Sequence, residues 1–154
     1  MARTATETLV TQSVLDRVTQ AEDWPATRNQ SLRFFRDALK RDLEWLLNTR
    51  QPPLAELDAR PVARETVINY GLPDISSLGL SSAADQRSLR LAIEACIRAF
   101  EPRLTDVRVR LESTETVDRR LRFHIEGNMK LDPVPEEITF DTVLELTSGE
   151  YKVK

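Results

Sequence analysis

Apolar residues recur at helical spacing in two stretches of the chain. The first stretch predicts a helix over about residues 29–49, because its apolar side chains are three or four residues apart and so line one face. These side chains are Leu32, Phe35, Leu39, Leu43 and Leu46. The second stretch predicts a helix from the N-cap Ser82 to about Phe100. Its stripe consists of Leu89, Ile93, Cys96, Ile97 and Phe100. Pro52 and Pro102 follow the two stretches and end the helices, since proline cannot continue them.

After Pro102 the apolar residues alternate with polar ones, which is typical of strands. The alternation predicts strands at residues 107–111, 121–125 and 138–146, with a short final strand at residues 151–153. Gly127 is expected to allow a bulge or a bend, because Met129 and Leu131 continue the apolar phase beyond it.

Two helices followed by a run of strands predict an α+β fold. We expect two main helices packed on a small sheet that is antiparallel or, alternatively, mixed. A length of 154 residues suits one domain, so residues 29–154 are expected to form it. Residues 1–28 are expected to form a lead-in segment, partly flexible or docked on a partner, with at most one short helix near residues 14–18.

Composition excludes several classes of protein. The net charge of -3 argues against general nucleic-acid binding, which depends on a basic surface. No apolar run approaches the ~20 residues that span a bilayer, and the first residues lack the apolar stretch of a signal peptide. The single cysteine, Cys96, cannot form an internal disulfide. We therefore expect a cytoplasmic protein.

The sequence offers little chemistry. Alternation places His124, the only histidine, on the strand face opposite the core, and Cys96 lies in an apolar helical stripe, where a free thiol acts as a small hydrophobe. One His and one Cys cannot supply a zinc site, and the four glycines are too scattered for a phosphate loop. We expect no catalytic residue, no metal and no cofactor.

Glu101, Pro102 and Arg103 form a stiff corner between the second helix and the first strand. Proline fixes φ and lacks an N–H, so it ends the helix and starts an extended segment. Glu101 and Arg103 are therefore expected to project, and the Arg103 fork is suited to bind carboxylates or carbonyls of a partner. The alternative is a helix end with solvated charges.

This corner carries a family resemblance. With residues 97–100 before it and residues 104–109 after it, Glu101-Pro102-Arg103 resembles the signature of the phage baseplate lysozyme-like family. Residues 43–50 (LEWLLNTR) and 67–74 (VINYGLPD) resemble the type VI secretion branch of that family, the TssE proteins. The resemblance covers nearly the whole chain.

The resemblance implies a structural, non-catalytic component of a type VI secretion baseplate with the lysozyme-like wedge fold. Glu101, Pro102 and Arg103 would contact the bundle of the other wedge proteins, TssF and TssG, with TssK nearby. The C-terminal strands would accept segments from the first ring of the contractile sheath, and a proline at Val143 or Leu144 would then block sheath initiation. The assembly would lie at the cytoplasmic side of the inner membrane.

A second group of candidate residues consists of Tyr70, Gly71, Leu72, Pro73, Asp74 and Arg50. Gly71 gives the freedom for a tight turn that Pro73 then stiffens, while Tyr70 and Leu72 either pack on the helices or contact a partner. Arg50 is expected to interact with the negative end of the first helix. Trp45, near the edge of the apolar stripe, is expected in the core, with an exposed interface anchor as the alternative.

Three other functions stay open: the wedge protein of a contractile phage tail, an anti-adaptor that shares the fold and binds a response regulator, and a muralytic enzyme. Glycoside hydrolysis needs two carboxyl groups, one of them with a raised pKa. Glu94, Glu101, Glu126 and Glu145 qualify by residue type only.

Overall fold

The computed structural model of the chain describes residues 9–19, 25–52, 66–74, 82–112, 120–132, 134–145 and 148–154. Its helices are α1 (Val14–Thr19), α2 (Arg28–Asn48) and α3 (Ala83–Phe100), with a 3-10 turn at Val67–Asn69. Its strands are β1 (Leu104–Leu111), β2 (Arg120–Met129), β3 (Glu136–Glu145) and β4 (Glu150–Val153). Leu146, the end of the third predicted strand, lies outside the described residues, as do residues 1–8 and 20–24 of the lead-in.

The predicted α+β fold is confirmed. The sheet order is β1-β2-β3-β4, and each neighbouring pair is antiparallel, which decides against a mixed sheet. The helices α2 and α3 pack on one face of this sheet. The side chains that are almost completely buried between the two layers are Leu39, Leu43, Leu47, Leu89, Ile93, Ile97, Leu121, Phe123, Ile125 and Tyr151. The two predicted helical stripes are therefore the helical half of the core.

Side-chain caps start both long helices. Thr27 Oγ1 accepts a hydrogen bond from Gln30 N at 3.2 Å, and Gln30 Oε1 accepts one from Thr27 N at 3.3 Å, so a capping box begins α2. Ser82 Oγ accepts from Ala84 N at 3.3 Å at the start of α3, as predicted. These local contacts explain why sequence and structure agree at the ends of the helices.

Trp45 is not in the core, so that prediction was wrong. Its side chain is 52% exposed, whereas Leu43, Leu46 and Leu47 around it are buried. At about 100° per residue, Trp45 lies two positions beyond Leu43 and so on the opposite side of α2. The Arg41 guanidinium stacks on its ring, 4.9 Å from the centroid.

The bulge lies on β1 and not at Gly127. The register between β1 and β2 shifts between Thr105 and Arg108, and Asp106 has a φ of 52°. Gly127 faces this irregularity from β2, where an added Cβ would lie 3.2 Å from Thr105 O. The glycine thus permits the close approach of a bulge in the neighbouring strand, while β2 itself keeps its phase.

Candidate functional site

The Glu-Pro-Arg corner ends α3 and begins β1. Glu101 N donates to Ile97 O at 2.8 Å, and Leu104 N donates to Glu101 O at 3.2 Å, so the chain turns within these residues. Pro102 is exposed at the apex. The predicted helix end is confirmed, and the corner presents proline to solvent.

The charged side chains of the corner do not project, contrary to expectation. Glu101 is only 4% exposed. Its Oε1 accepts from Arg103 N at 3.2 Å and from Arg103 Nε at 2.6 Å, and its Oε2 accepts from Arg103 Nη2. The carboxylate folds back because it satisfies the backbone amide after the proline, and the arginine follows to neutralise it. Arg103 therefore holds the corner together from within.

An acid–arginine network continues from the corner to α1. Arg103 Nη2 donates to Asp42 Oδ2 at 2.7 Å, and Asp42 Oδ1 accepts from Arg41 Nη2 at 2.8 Å. Arg41 Nη1 in turn pairs with Asp16 Oδ1 at 2.7 Å. Charges alternate from Asp16 to Glu101. The hydrogen bond with Glu101 raises the pKa of Arg103, so the Arg103 guanidinium stays protonated at any physiological pH.

The second group of candidate residues supports the corner from the side. Gly71 has a φ of +108°, and an added Cβ would lie 2.4 Å from Thr49 O, so only glycine fits. Leu72 is fully buried, and its N donates to Thr49 O at 2.9 Å while its O accepts from Gln51 N at 2.8 Å. Pro73 and Asp74 are exposed. Gly71 and Leu72 therefore have a structural role in this loop, and Pro73 and Asp74 are the residues that it exposes.

Tyr70 and Cys96 fix the loop on α3. The Tyr70 ring meets that of Phe100 edge to face, with centroids 5.3 Å apart. Cys96 Sγ donates to Gly71 O at 3.1 Å, and burial raises the pKa of the thiol to about 12. The predicted core role of Cys96 is thus confirmed, and its thiol is held protonated.

A groove that the sequence did not reveal lies beside Pro102. It has a volume of about 380 Å³. Its apolar walls are Leu15, Trp45, Leu46, Tyr70, Phe100 and Pro102, and Asp42, Glu101 and Arg103 also line it. Leu15 was missed because α1 meets the corner only in the folded chain, and Trp45 was expected in the core rather than at this surface.

Side chains close one edge of the sheet. Val109 N donates to Glu94 Oε1 at 2.9 Å, and Val107 O accepts from Arg98 Nη2 at 2.9 Å, so α3 occupies the outer edge of β1. The backbone groups of successive strand residues point alternately to the two sides of the strand. Since Glu112 N donates to Arg122 O of β2, the backbone groups of Val107 and Val109 point away from β2. A strand added here would have to displace a buried carboxylate.

The opposite edge is closed only near the final turn. Asn48 Nδ2 donates to Tyr151 O at 2.9 Å, and Tyr151 N donates to Asn48 Oδ1 at 2.8 Å, so one amide side chain imitates a strand neighbour of β4. Arg50 Nη1 donates to Leu47 O at 2.9 Å, which confirms the predicted contact with the end of α2. Its Nη2 donates to Gly149 O at 2.8 Å.

The first half of β3 extends past the end of β4. The register pairs β4 with Thr142–Glu145 only, whereas β2 pairs with all of β3. Lys154 N donates to Asp141 O, which shows that odd-numbered residues of β3 direct their backbone groups towards the β4 side. The backbone groups of Glu137 and Thr139 therefore point out of the sheet, and none of the described residues bonds to them there. We call residues 137–139 the open edge.

This register corrects one expectation. Val143 pairs with Arg122 and Lys152, and Leu144 pairs with Leu121 and Tyr151, so both residues lie inside the sheet. A proline at either position would break the ladder of the folded protein. The edge available to an incoming strand lies several residues earlier.

A comparison with known families decides what kind of protein carries this corner and this edge. The model of the family described as baseplate wedge protein gp25 matches residues 34–134, which is more than half of the chain. The chain belongs to this family. No curated protein matches it.

Membership of the wedge family makes the chain a structural baseplate component that contacts other baseplate proteins. The matched part includes most of α2, the corner, β1 and β2, whereas α1 and the open edge lie outside it. In the described ranges, no helix is long and apolar enough to cross a membrane. Nor does the described part of the chain bring together three or more side chains suited to holding a metal ion.

The carboxylates considered for glycoside hydrolysis serve this wedge scaffold. Glu94 is buried and binds Arg90 at 2.9 Å and Val109 N at 2.9 Å, and Glu101 is enclosed by Arg103. Glu126 pairs with Arg110 at 3.2 Å on the open face of the sheet. Glu94 thus links α3 to β1 and Glu126 links β2 to β1, while Glu101 is bonded within the corner. Glu145, the fourth candidate, accepts from Ser148 Oγ at 3.4 Å.

Replacement of Glu94 tests the closed edge of the wedge fold. Glu94→Ala should lower the free energy of unfolding by about 2–4 kcal/mol, because the Val109 amide loses its acceptor and two arginines lose their shared anion. Urea denaturation measures this effect. Glu94→Gln keeps an acceptor oxygen for Val109 N and should lose clearly less. An alanine variant as stable as the wild type would show that the carboxylate does not hold this edge.

His124 lies on the sheet face opposite the helices, as predicted, and is hydrogen-bonded to an acidic side chain. Its Nδ1 is 2.6 Å from Asp141 Oδ1 and its Nε2 is 3.4 Å from Glu112 Oε1. The hydrogen bond with Asp141 raises the pKa of His124 above its usual value, and Glu112 adds to the shift. This pair links β2 to β3 beside the open edge.

Titration of His124 by NMR should therefore give a pKa above ~6.5 that falls towards ~6.5 in Asp141→Asn. Because the pKa of His124 is higher in the folded than in the unfolded protein, its protonation stabilises the fold. This stabilisation is complete at a pH below the pKa of the unfolded protein and is lost as the pH rises through the pKa of the folded protein. The stability difference between wild type and Asp141→Asn should thus shrink from pH 5.5 to pH 8. It should stay below about 1 kcal/mol, because the pair is solvent-accessible. An identical His124 pKa in both proteins would exclude the pairing.

Proposed function

We propose that this chain is the structural wedge subunit of a type VI secretion baseplate, that it works by binding other proteins, and that it catalyses no reaction. It binds the wedge proteins TssF and TssG at the corner, with TssK nearby, and offers the open edge to the first ring of the contractile sheath. The observation that carries the proposal is the first half of β3, where none of the described residues bonds to the outward backbone groups of Glu137 and Thr139, in a sheet where Glu94 and Arg98 bind the outer edge of β1 and Asn48 binds Tyr151 of β4.

The open edge supports strand addition. Natural proteins usually block free edges, because exposed N–H and C=O groups recruit other strands. Here side chains bind the outward backbone groups of Val107, Val109 and Tyr151, whereas none of the described residues binds those of Glu137 and Thr139, which is the pattern expected of an edge kept for a partner. An incoming strand would gain main-chain hydrogen bonds, and the alternating side chains of β3 would set its register.

The corner supports wedge binding in a way that differs from the expected one. Since Glu101 and Arg103 bond to each other, the surface that meets a partner is the exposed Pro102 with the apolar groove beside it. Aromatic side chains in a desolvated groove are typical anchors of an interface. Arg103 contributes by holding Pro102 in place.

The type VI assignment is supported by the blocks at residues 43–50 and 67–74, and it places the subunit at the cytoplasmic side of the inner membrane. The wedge protein of a contractile phage tail is the alternative within the same family. Mixing of the purified chain with TssF and TssG, followed by size-exclusion chromatography, separates the two. Co-elution supports the proposal, while failure to co-elute at micromolar concentration contradicts it.

The same purified chain tests the absence of catalysis. Incubated with peptidoglycan, it should release no soluble fragments above the level of a heat-denatured sample. Release of fragments would replace the structural role with a muralytic one.

A further inference from the structure

The short helix α1 is oriented with its acidic residue inwards and its apolar residues outwards. Asp16 is 3% exposed, whereas Val14, Leu15 and Val18 are 75%, 54% and 73% exposed. A surface helix of an isolated globular protein normally buries its apolar side chains and exposes its charges. An inverted helix of this kind is typical of a surface that a partner covers.

Polar contacts hold α1 in this inverted orientation. Asp16 accepts from Ser13 Oγ and pairs with Arg41 at 2.7 Å, and Val10 N donates to Ser31 Oγ at 3.1 Å just before the helix. Burial opposes ionisation of Asp16, but the hydrogen bonds from Arg41 and Ser13 outweigh it and hold its pKa below the usual value. The buried carboxylate thus fixes the helix while the apolar face stays free.

The free face of α1 continues into the groove beside Pro102. Leu15 lines that groove together with Trp45, Phe100 and Pro102. The acid–arginine network connects Asp16 of α1 to Glu101 of the corner through Arg41, Asp42 and Arg103. Helix and corner therefore form one continuous surface with a shared support.

The charge at the groove indicates what it accepts besides an apolar side chain. Asp42, Glu101 and Arg103 line it, and Arg41 and Asp16 continue the same network beside it. These three acids and two arginines leave an excess of one negative charge. The acidic group nearest to solvent is Asp42, whose side chain is 23% exposed. A basic side chain on the partner would complement it.

We propose that α1 is the second half of the wedge-docking surface, and that the groove between Leu15 and Pro102 takes one bulky apolar side chain of a wedge protein, with a neighbouring Lys or Arg facing Asp42. The proposal rests on the proposed wedge-binding function of the corner. It adds that residues before α2 belong to the interface and states the chemistry of the bound segment.

Three single variants test this proposal in the full chain, with purified TssF–TssG as the probe. Leu15→Ser should weaken binding about tenfold, because it removes one wall of the groove. Leu91→Ser is the matched control, since Leu91 is 48% exposed on α3 and does not line the groove; it should bind like the wild type. Pro102→Ala alters the corner itself and should weaken binding as well. Thermal unfolding checks that all three remain folded.

The outcomes separate this proposal from the function on which it rests. If the wild-type chain does not bind the probe, the wedge function fails. If the wild type binds, Pro102→Ala weakens binding and Leu15→Ser binds like the wild type, only the role of α1 fails. A photo-crosslinking residue at position 15 then identifies the partner segment that binds in the groove. Crosslinks within a few residues of a Lys or Arg and a bulky apolar residue support the proposed occupant. Crosslinks to a purely acidic or polar segment overturn it.

Discussion

Arg103→Ala is expected to destabilise the folded protein before any question of binding arises. Removal of the guanidinium leaves Glu101 buried without a cation and takes one of two arginine partners from Asp42. Breaking a buried pair in this way should lower the free energy of unfolding by about 3–5 kcal/mol. Urea denaturation followed by circular dichroism measures the loss.

Two further variants show which property of Arg103 matters. Arg103→Lys keeps one charge but cannot bind both carboxylates through a planar fork, so it should recover only part of the loss. Arg108→Ala removes an exposed arginine of β1 and should change the free energy of unfolding by less than about 0.5 kcal/mol. If Arg103→Ala had the same denaturation midpoint as Arg108→Ala, the internal role of Arg103 would be refuted.

Loss of Arg103 should also weaken wedge binding, by a factor of ~30 or more, because Pro102 and the groove lose their support. Binding must be measured where the variant is still folded, for example at 10 °C, and compared with that of Arg103→Lys. Retention of the wedge proteins at the wild-type level by folded Arg103→Ala would remove the corner from the interface.

Thr139→Pro is expected to abolish sheath initiation while the subunit stays folded. Thr139 is exposed, and its N–H points out of the sheet, so the ladder with β2 does not use this donor. Proline removes the donor that an incoming strand needs and places its ring in the same space. In cells with a fluorescent sheath protein, the number of assembled sheaths should fall at least tenfold.

Thr139→Ala is the control for this experiment, because it shortens the side chain but keeps the N–H. It should support sheaths at the wild-type level. Both variants should still co-elute with TssF and TssG, since the corner is untouched. Normal sheath numbers with Thr139→Pro in assembled baseplates would show that the open edge is not the template.

The parts of the fold that were predicted from the sequence depend on neighbours in the chain. The cap at Ser82 and the stops at Pro52 and Pro102 act within a few residues, so periodicity and these signals located both helices. The capping box at Thr27 and Gln30 is equally local but was not predicted. The strands followed from alternation for the same reason. The antiparallel sense was expected with a mixed sheet as the alternative, whereas the strand order β1-β2-β3-β4 was not predicted.

The parts that were missed depend on residues far apart in sequence. Arg103 was expected to reach outwards, but its partner Asp42 is 61 residues away and draws it inwards. The bulge was placed at Gly127, because the sequence marks the glycine that makes room but not the neighbouring strand that uses it. Closure of β1 by Glu94 likewise depends on how α3 crosses the sheet.

Hydrogen exchange of the amides of β3 tests most directly whether the open edge receives a strand. The Ile138 amide faces β2 and should exchange slowly both in the free protein and in baseplates that carry assembled sheath. The Glu137 and Thr139 amides should exchange quickly in the free protein and at least tenfold more slowly in the assembly, read at single-residue resolution by fragmentation mass spectrometry. Equal and rapid exchange of these two amides in both states would contradict the account.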